Sequence, residues 1–273
     1  MASQSPSGAD GRILAAQPQE RSRDFNQSVA RGLEIIETFG AHTSRQTVSE
    51  IAAKTGLTRA TTRRFLLTLV ELGYMTTDGR TFELSPRVLR LGYSYLSGLG
   101  FPSVALPHLE ALVAEVDEAS EASILDGHDV VYVVRVPGTR LMTIAVNVGA
   151  RMPAHATSMG RVLLAGLPDD ELERYLGSAT FERFLPHTAT NRDTQRERIL
   201  KARADGYAIV DQELEEGLIA VAVPIHDRMQ RVVAAVNLST HVGRHDSESV
   251  RVELLPALRR HAALIERDLV NVV

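Results

Sequence analysis

Residues 47–84 read TVSEIAAKTGLTRATTRRFLLTLVELGYMTTDGRTFEL. Val48, Ile51 and Ala52 share one side of a short helix, which ends at Gly56 because a left-handed turn costs glycine least. Thr58 caps a second helix whose buried positions are expected at Thr61, Phe65, Leu69 and Leu72, with Gly73 closing it. The opposite face of its first turns carries Arg59, Thr62 and Arg63. Apolar residues hold such a helix down while cationic and hydroxyl groups near its N-terminus reach phosphates and base edges, the layout of a helix set in the major groove. Met75 to Leu84 then alternates about an Asp78-Gly79 turn with Arg80 at its tip, so the unit reads as a winged helix-turn-helix. The DNA-contacting set is Thr47, Thr58, Arg59, Thr61, Thr62, Arg63, Arg64 and Arg80. A plain helical hairpin with a solvated charged face is the alternative, outweighed by the agreement of turn, basic helix start and wing.

The charge distribution supports this division of labour. The 273-residue chain carries −4 overall, but residues 21–100 hold 11 Lys+Arg against 7 Asp+Glu while residues 101–273 hold 18 against 25. A basic front and an acidic back suit a protein that holds phosphates with one part only. With no cysteine, disulfides, thiol nucleophiles and Cys-based zinc sites are excluded. No apolar run reaches the length of a membrane span and the N-terminus lacks a signal pattern, so no membrane partner and a cytoplasmic location are expected.

Four segments follow. Residues 1–22, rich in Ser, Gln, Pro, Ala and Gly, read as a disordered arm. Residues 23–85 form the winged helix-turn-helix, opened by a helix over 28–39 with Val29, Leu33, Ile36 and Phe39 facing inward. Residues 86–100 form a linker helix started by Ser85-Pro86, with Val88, Leu91, Tyr95 and Leu99 on one face. Residues 101–273 alternate helices and strands. Helices are expected at 102–116, 157–164, 169–176, 193–205 and 248–270, and strands at 121–126, 130–136, 141–148, 207–210, 218–225 and 232–238. Strand pairs separated by helices indicate an α+β domain with an antiparallel sheet, most helices lying to one side.

The second domain carries no nucleophile elbow, phosphate-binding Gly-rich loop or zinc-protease motif, so no catalytic residues are assigned. His241 and His245 lie in a polar loop with Gly243 between them and read as solvated; no metal and no cofactor is expected. In the acidic run Asp211, Glu213, Glu215, Glu216, the residues expected to turn inward are Asp211 and Glu215. In Gly149-Ala-Arg-Met-Pro-Ala-His-Ala-Thr-Ser-Met-Gly160 a strand ends and a helix opens. The free amides at Ser158, Met159 and Gly160 would make an anion site, with His155 and Thr157 adding hydrogen bonds and Gly160 permitting close approach. Thr157 acting only as a helix cap is the simpler reading of this segment. Asn237 and Ser239 alternate on an otherwise apolar strand, which points to a partly polar cavity.

The winged helix-turn-helix carries a resemblance, together with Pro153-Ala-His-Ala-Thr-Ser-Met-Gly-Arg-Val-Leu-Leu-Ala165, Gly206-Tyr-Ala-Ile-Val-Asp-Gln-Glu-Leu-Glu-Glu-Gly217 and the two strands that follow. Beyond residue 24 the chain resembles IclR-type transcriptional regulators. The resemblance implies a GAF-like effector-binding domain, a homodimer or tetramer on a palindromic double-stranded operator, and a small effector held by Ala154, Ser158, Met159, Asp211, Ala220, Asn237 and Ser239. Some members carry Gly-Ala in place of Ser158-Met159, and Cys or Ser in place of Ala220 and Asn237. The runs Asp211-Gln-Glu-Leu-Glu-Glu-Gly and Asn237-Leu-Ser-Thr-His-Val-Gly243 look most similar to regulators of protocatechuate, 4-hydroxybenzoate and β-ketoadipate metabolism, which implies a small organic acid. The alternative is a DNA-tethered enzyme acting on such an acid, with Asp211 and His155 as its acid–base groups.

Overall fold

The computed structural model describes residues 22–40, 43–92, 100–138 and 147–270 and separates into two compact units, Met1–Tyr93 and Ser94–Val273. Residues 1–21 of the proposed arm (1–22) lie outside the described residues, as do 93–99 of the linker helix and 141–146 of the third strand of the second domain. Residues 147–148 are not strand. Among the described residues no helix is long and apolar enough to cross a membrane.

In the first unit, α1 (Gln27–Glu37) starts at Asn26, whose side chain accepts the N–H groups of Ser28 and Val29. β1 (Arg45–Thr47) leads into α2 (Val48–Thr55), where Thr47 and Glu50 form a reciprocal capping box, and Gly56 ends the helix at φ 66°. α3 (Arg59–Glu71) follows its Thr58 cap. β2 (Met75–Thr77) and β3 (Thr81–Leu84) make the wing, in a three-stranded sheet of order β1-β3-β2. Ile35, Ile51, Leu66, Leu69, Met75 and Phe82 form the core.

Two expected faces turn out rotated. On α3 the buried stripe is Thr62, Leu66 and Leu69, with Leu72 exposed at the helix end, because that stripe meets α1 and α2. On α1, Ile35 is fully buried and the expected Ile36 and Phe39 pack partly buried against the core, while Val29 and Leu33 are exposed. Ser85 caps a 3-10 turn, Pro86–Val88, that continues as helix through residue 92, with Leu89 and Leu91 exposed.

The second unit opens with α4 (Phe101–Val116) and the hairpin β4 (Ser120–Asp126) and β5 (Asp129–Val136). β6 (Arg151–Pro153), α5 (Ser158–Ala165), α6 (Asp169–Ser178) and α7 (Arg192–Asp205) come next. β7 (Ala208–Asp211), β8 (Leu218–His226) and β9 (Val232–His241) complete an antiparallel sheet of order β6-β5-β4-β9-β8-β7. A one-turn helix at Ser247–Ser249 and a π-helical stretch at Val250–Leu254 lead into α8 (Leu255–Leu269). Helices cover both sheet faces, which corrects the expectation of a one-sided arrangement. α4 and α8 pack on Ala122, Val223, Val236 and Leu238. α5, α6 and α7 pack on Val130, Tyr132, Ala222 and Ala235. Strand alternation sends Asn237 and Ser239 to this second face, beside the start of α5.

Candidate functional site

In the first unit, Arg59, Arg63 and Arg64 stand exposed on α3, and Arg80 is exposed at the wing tip. None of the four guanidinium groups makes an ion pair among the described residues, whereas Arg45 is tied to Glu83 at 2.8 Å. A row of cations without counter-ions on a helix face and its adjoining wing is the footprint of a phosphate-binding surface. The wing is built to hold that tip: Asp78 accepts the N–H groups of Arg80 at 2.9 Å and Thr81 at 2.7 Å. Those N–H groups, Thr81 first, pull the Asp78 carboxyl down to about 2. Thr58 and Thr61 share a hydroxyl hydrogen bond at 2.9 Å at the exposed helix start, and Thr47 is engaged in its capping box. Thr62 is the correction. It is fully buried and its hydroxyl donates to the Thr58 carbonyl at 3.0 Å, because α3 turns that position onto the core.

In the second unit a small, partly open cavity of about 40 Å³ lies between α5 and the sheet. Six of the nine expected effector residues line it: Thr157, Ser158, Met159, Ala220, Asn237 and Ser239. Thr157 Oγ1 accepts the Gly160 N–H at 3.1 Å, which leaves Ser158 and Met159 as the open amides of the helix start. In the same lining, Asn237 Nδ2 donates to Ser239 Oγ at 3.0 Å, and Ser239 Oγ donates to Glu121 Oε2 at 3.2 Å. The Glu121 N–H in turn donates to Asn237 Oδ1 at 2.7 Å. Burial pushes the Glu121 carboxyl above the usual carboxylate range, against the pull of Asn237, Ser239 and Arg135. Burial, and then the nearby Glu121 charge, raises the Tyr132 hydroxyl as well. The cavity is thus lined by the start of α5, by Asn237 and Ser239, which are hydrogen-bonded on to Glu121, and by Val210, Glu213, Leu214 and Leu218.

Ala154, His155 and Asp211 do not reach this cavity. Ala154 lies beneath Gly160, where an added Cβ would fall 2.2 Å from the Ala154 carbonyl oxygen. The close approach that Gly160 permits is therefore between backbones. His155 is wedged between Phe181 and Phe184, with Nε2 3.1 Å from the Glu182 carbonyl oxygen, and burial holds its imidazole below the usual value. Asp211 faces outward, accepting from the Ser247 hydroxyl at 3.1 Å. The acidic residue that turns inward is Glu213, not Asp211 or Glu215, because β7 ends and the Gln212 backbone takes a positive φ of 52°. Its carboxylate accepts from Arg161 Nη2 at 2.9 and 3.0 Å and sits 2.7 Å from Arg198. Sequence reasoning missed Glu121, Tyr132, Arg161 and Glu213. Tyr132 could have been found from strand parity, but the others depend on partners far along the chain. Among the described residues no cluster of metal-ligating side chains occurs.

The family model for the IclR helix-turn-helix domain matches residues 28–79, and that for the bacterial transcriptional regulator IclR C-terminal region matches 93–267. The chain is 42% identical to the Pca regulon regulatory protein of Pseudomonas putida over 86% of this chain and 81% of that one. It is 35% identical to the p-hydroxybenzoate hydroxylase transcriptional activator of Acinetobacter baylyi over 89% and 91%. A solved structure from Rhodococcus sp. RHA1 shares 53% identity at a TM-score of 0.81, covering 91% of this chain and all of that one. An IclR homolog from Microbacterium hydrocarbonoxydans, solved in complex with 4-hydroxybenzoate, shares 27% at 0.78 over 89% and 98%.

Proposed function

Because the chain belongs to the IclR family of bacterial transcriptional regulators, we propose that its operator binding is set by an aromatic acid of the 4-hydroxybenzoate or protocatechuate type held in the cavity beside α5. The chain is a DNA-binding regulator and not an enzyme, as its relatives are, and the acid is a signal rather than a substrate. The observation that carries the reading is that one cavity is lined both by the start of α5 and by the hydrogen-bonded Asn237–Ser239 pair. A carboxylate suits the Ser158 and Met159 amides, and a ring hydroxyl suits Asn237 and Ser239. At about 40 Å³ the cavity has the room of one or two waters. An aromatic acid therefore enters only as the 212–217 segment or Met159 gives way, and that displacement is the differential interaction a switch needs.

Residues 23–85 read DNA in this scheme, 86–100 carry the signal and 101–273 hold the acid, all in the cytoplasm where the operator is. Two copies pair so that two α3 helices meet a palindromic site, in a dimer or a dimer of dimers. The exposed Val29 and Leu33 on α1, and Leu89 and Leu91 beyond the wing, support a pairing surface.

The test is a titration of the full chain on an operator selected from random duplexes, with and without 4-hydroxybenzoate or protocatechuate. The expected shift in affinity is roughly 5–150-fold. Ser239→Phe, which fills the cavity, should bind the operator like wild type and lose the shift. A wild type indifferent to both acids rules out this effector class; a Ser239→Phe protein that responds normally moves the pocket elsewhere.

A further inference from the structure

A second, open cleft of about 830 Å³ lies along α7 and β7, lined in part by Arg161, Arg183, Arg198, Lys201 and Glu213. That is the size of a small-molecule site, and its charges do not balance. Glu213 alone faces two guanidinium groups, Arg161 and Arg198. Of the other carboxylates in the lining, Asp205 is taken by Lys201 at 2.7 Å, and Asp211 accepts from Ser247 and Gln212. Arg183 rests only on neutral oxygens, the Pro186 carbonyl and the Thr190 hydroxyl, each at 3.3 Å. Four cations thus face three carboxylates.

The imbalance reaches into the protein. Arg161 is 5% exposed, and its buried Nε–H has no hydrogen-bond partner. Burial pushes its guanidinium below the ordinary value despite Glu213. A buried cation that shares its single counter-ion and keeps an unmet N–H is costly by itself. An incoming anion on Arg198 would leave Glu213 to Arg161 alone, and a guanidinium fork matches the geometry of a carboxylate or phosphate.

We propose that this cleft, which neighbours the cavity beside α5 and shares Glu213 with it, is a second ligand site that takes an oxyanion (a carboxylate or a phosphate group) on Arg198 and so completes the Arg161–Glu213–Arg198 array. Arg198 is the receiving residue because its side chain is about one-third exposed, while that of Arg161 is almost wholly buried in the cleft wall. Glu213 is the one lining residue the two share, and Asn237 and Ser239 take no part in the cleft, so anion binding is tested apart from the effector reading.

Calorimetric titration of the full chain with inorganic phosphate and with succinate, at constant ionic strength, tests this. One of the two should saturate a single site in wild type and equally in Ser239→Phe, and the one that does names the anion class. Arg198→Met should weaken it roughly tenfold or more while leaving the Arg161–Glu213 pair intact. Glu213→Gln removes the competing carboxylate and should tighten it; if that variant does not fold, Arg198→Met decides alone. No saturable binding of either anion, or unchanged affinity in Arg198→Met, overturns the proposal. Loss of binding in Ser239→Phe assigns the anion to the inner cavity and overturns it equally. The operator response to 4-hydroxybenzoate is read separately, so either idea can fail without the other.

Discussion

Glu121 carries its carboxyl into the sheet face that holds the cavity, and it was not singled out by sequence because its partners lie more than a hundred residues away on β9. Burial raises its pKa, so the folded chain holds the proton to higher pH than the unfolded chain does. The stabilising contribution is then present in full below the ordinary glutamate value and is lost as pH rises through the raised, folded-state value. Glu121→Gln cannot ionise and escapes that loss. Melting temperatures of variant and wild type, compared from pH 5 to pH 8, should diverge in favour of Gln as pH rises. A difference that stays flat over the range would show that Glu121 is as easily ionised folded as unfolded. Thr62 and Glu213 teach a related lesson about what the sequence carries. Their residue types were noticed, but side depends on one step of helix phase or one kink at Gln212, and neighbours rather than local pattern set both.

At the scale of elements, the sequence was legible wherever punctuation was strong. Gly56, the Thr58 and Thr157 caps, the Asp78-Gly79 wing turn and the β4–β5 hairpin lie where their residues place them. What local pattern could not reveal is how α5 is held. Gly160 sits so close to the Ala154 backbone that a Cβ would come within 2.2–2.6 Å of Ala154 O, Cα and C. Two effects oppose each other in Gly160→Ala. Helix propensity favours alanine by about 0.5–1 kcal/mol, whereas overpacking against backbone that cannot rotate away costs about 1–3 kcal/mol or more. Overpacking wins, and calorimetry of the full chain should show the second unit melting lower, by roughly 2–4 °C for each kcal/mol of net cost. The same substitution should weaken the effector response, because α5 presents the Ser158 and Met159 amides. An unchanged melting profile would mean that the 154–157 turn yields freely and that α5 is not fixed by this contact.

For the molecule as a whole, the contrast in charge decides how the two parts meet DNA. Residues 101–273, at −7, are repelled by phosphate, so attraction must come from the exposed cations of the first unit, whose region carries +4. The salt dependence of operator binding therefore counts contacts made by the winged helix alone, with log K falling by about 0.9 per neutralised phosphate for each decade of salt. Arg80 is suited to a counting experiment: it is exposed, its side chain makes no ion pair among the described residues, and the turn beneath it depends on backbone N–H groups that Arg80→Ala retains. If one protomer sits on DNA, Arg80→Ala should flatten the slope by about 0.9. If two protomers related by a two-fold axis bind a palindrome, the same substitution removes a contact from each wing, and the slope should flatten by about 1.8. The second outcome is expected, accompanied by a sedimentation coefficient of at least a dimer on the operator. A change near 0.9 would argue for a single engaged wing, and no change would remove Arg80 from the interface.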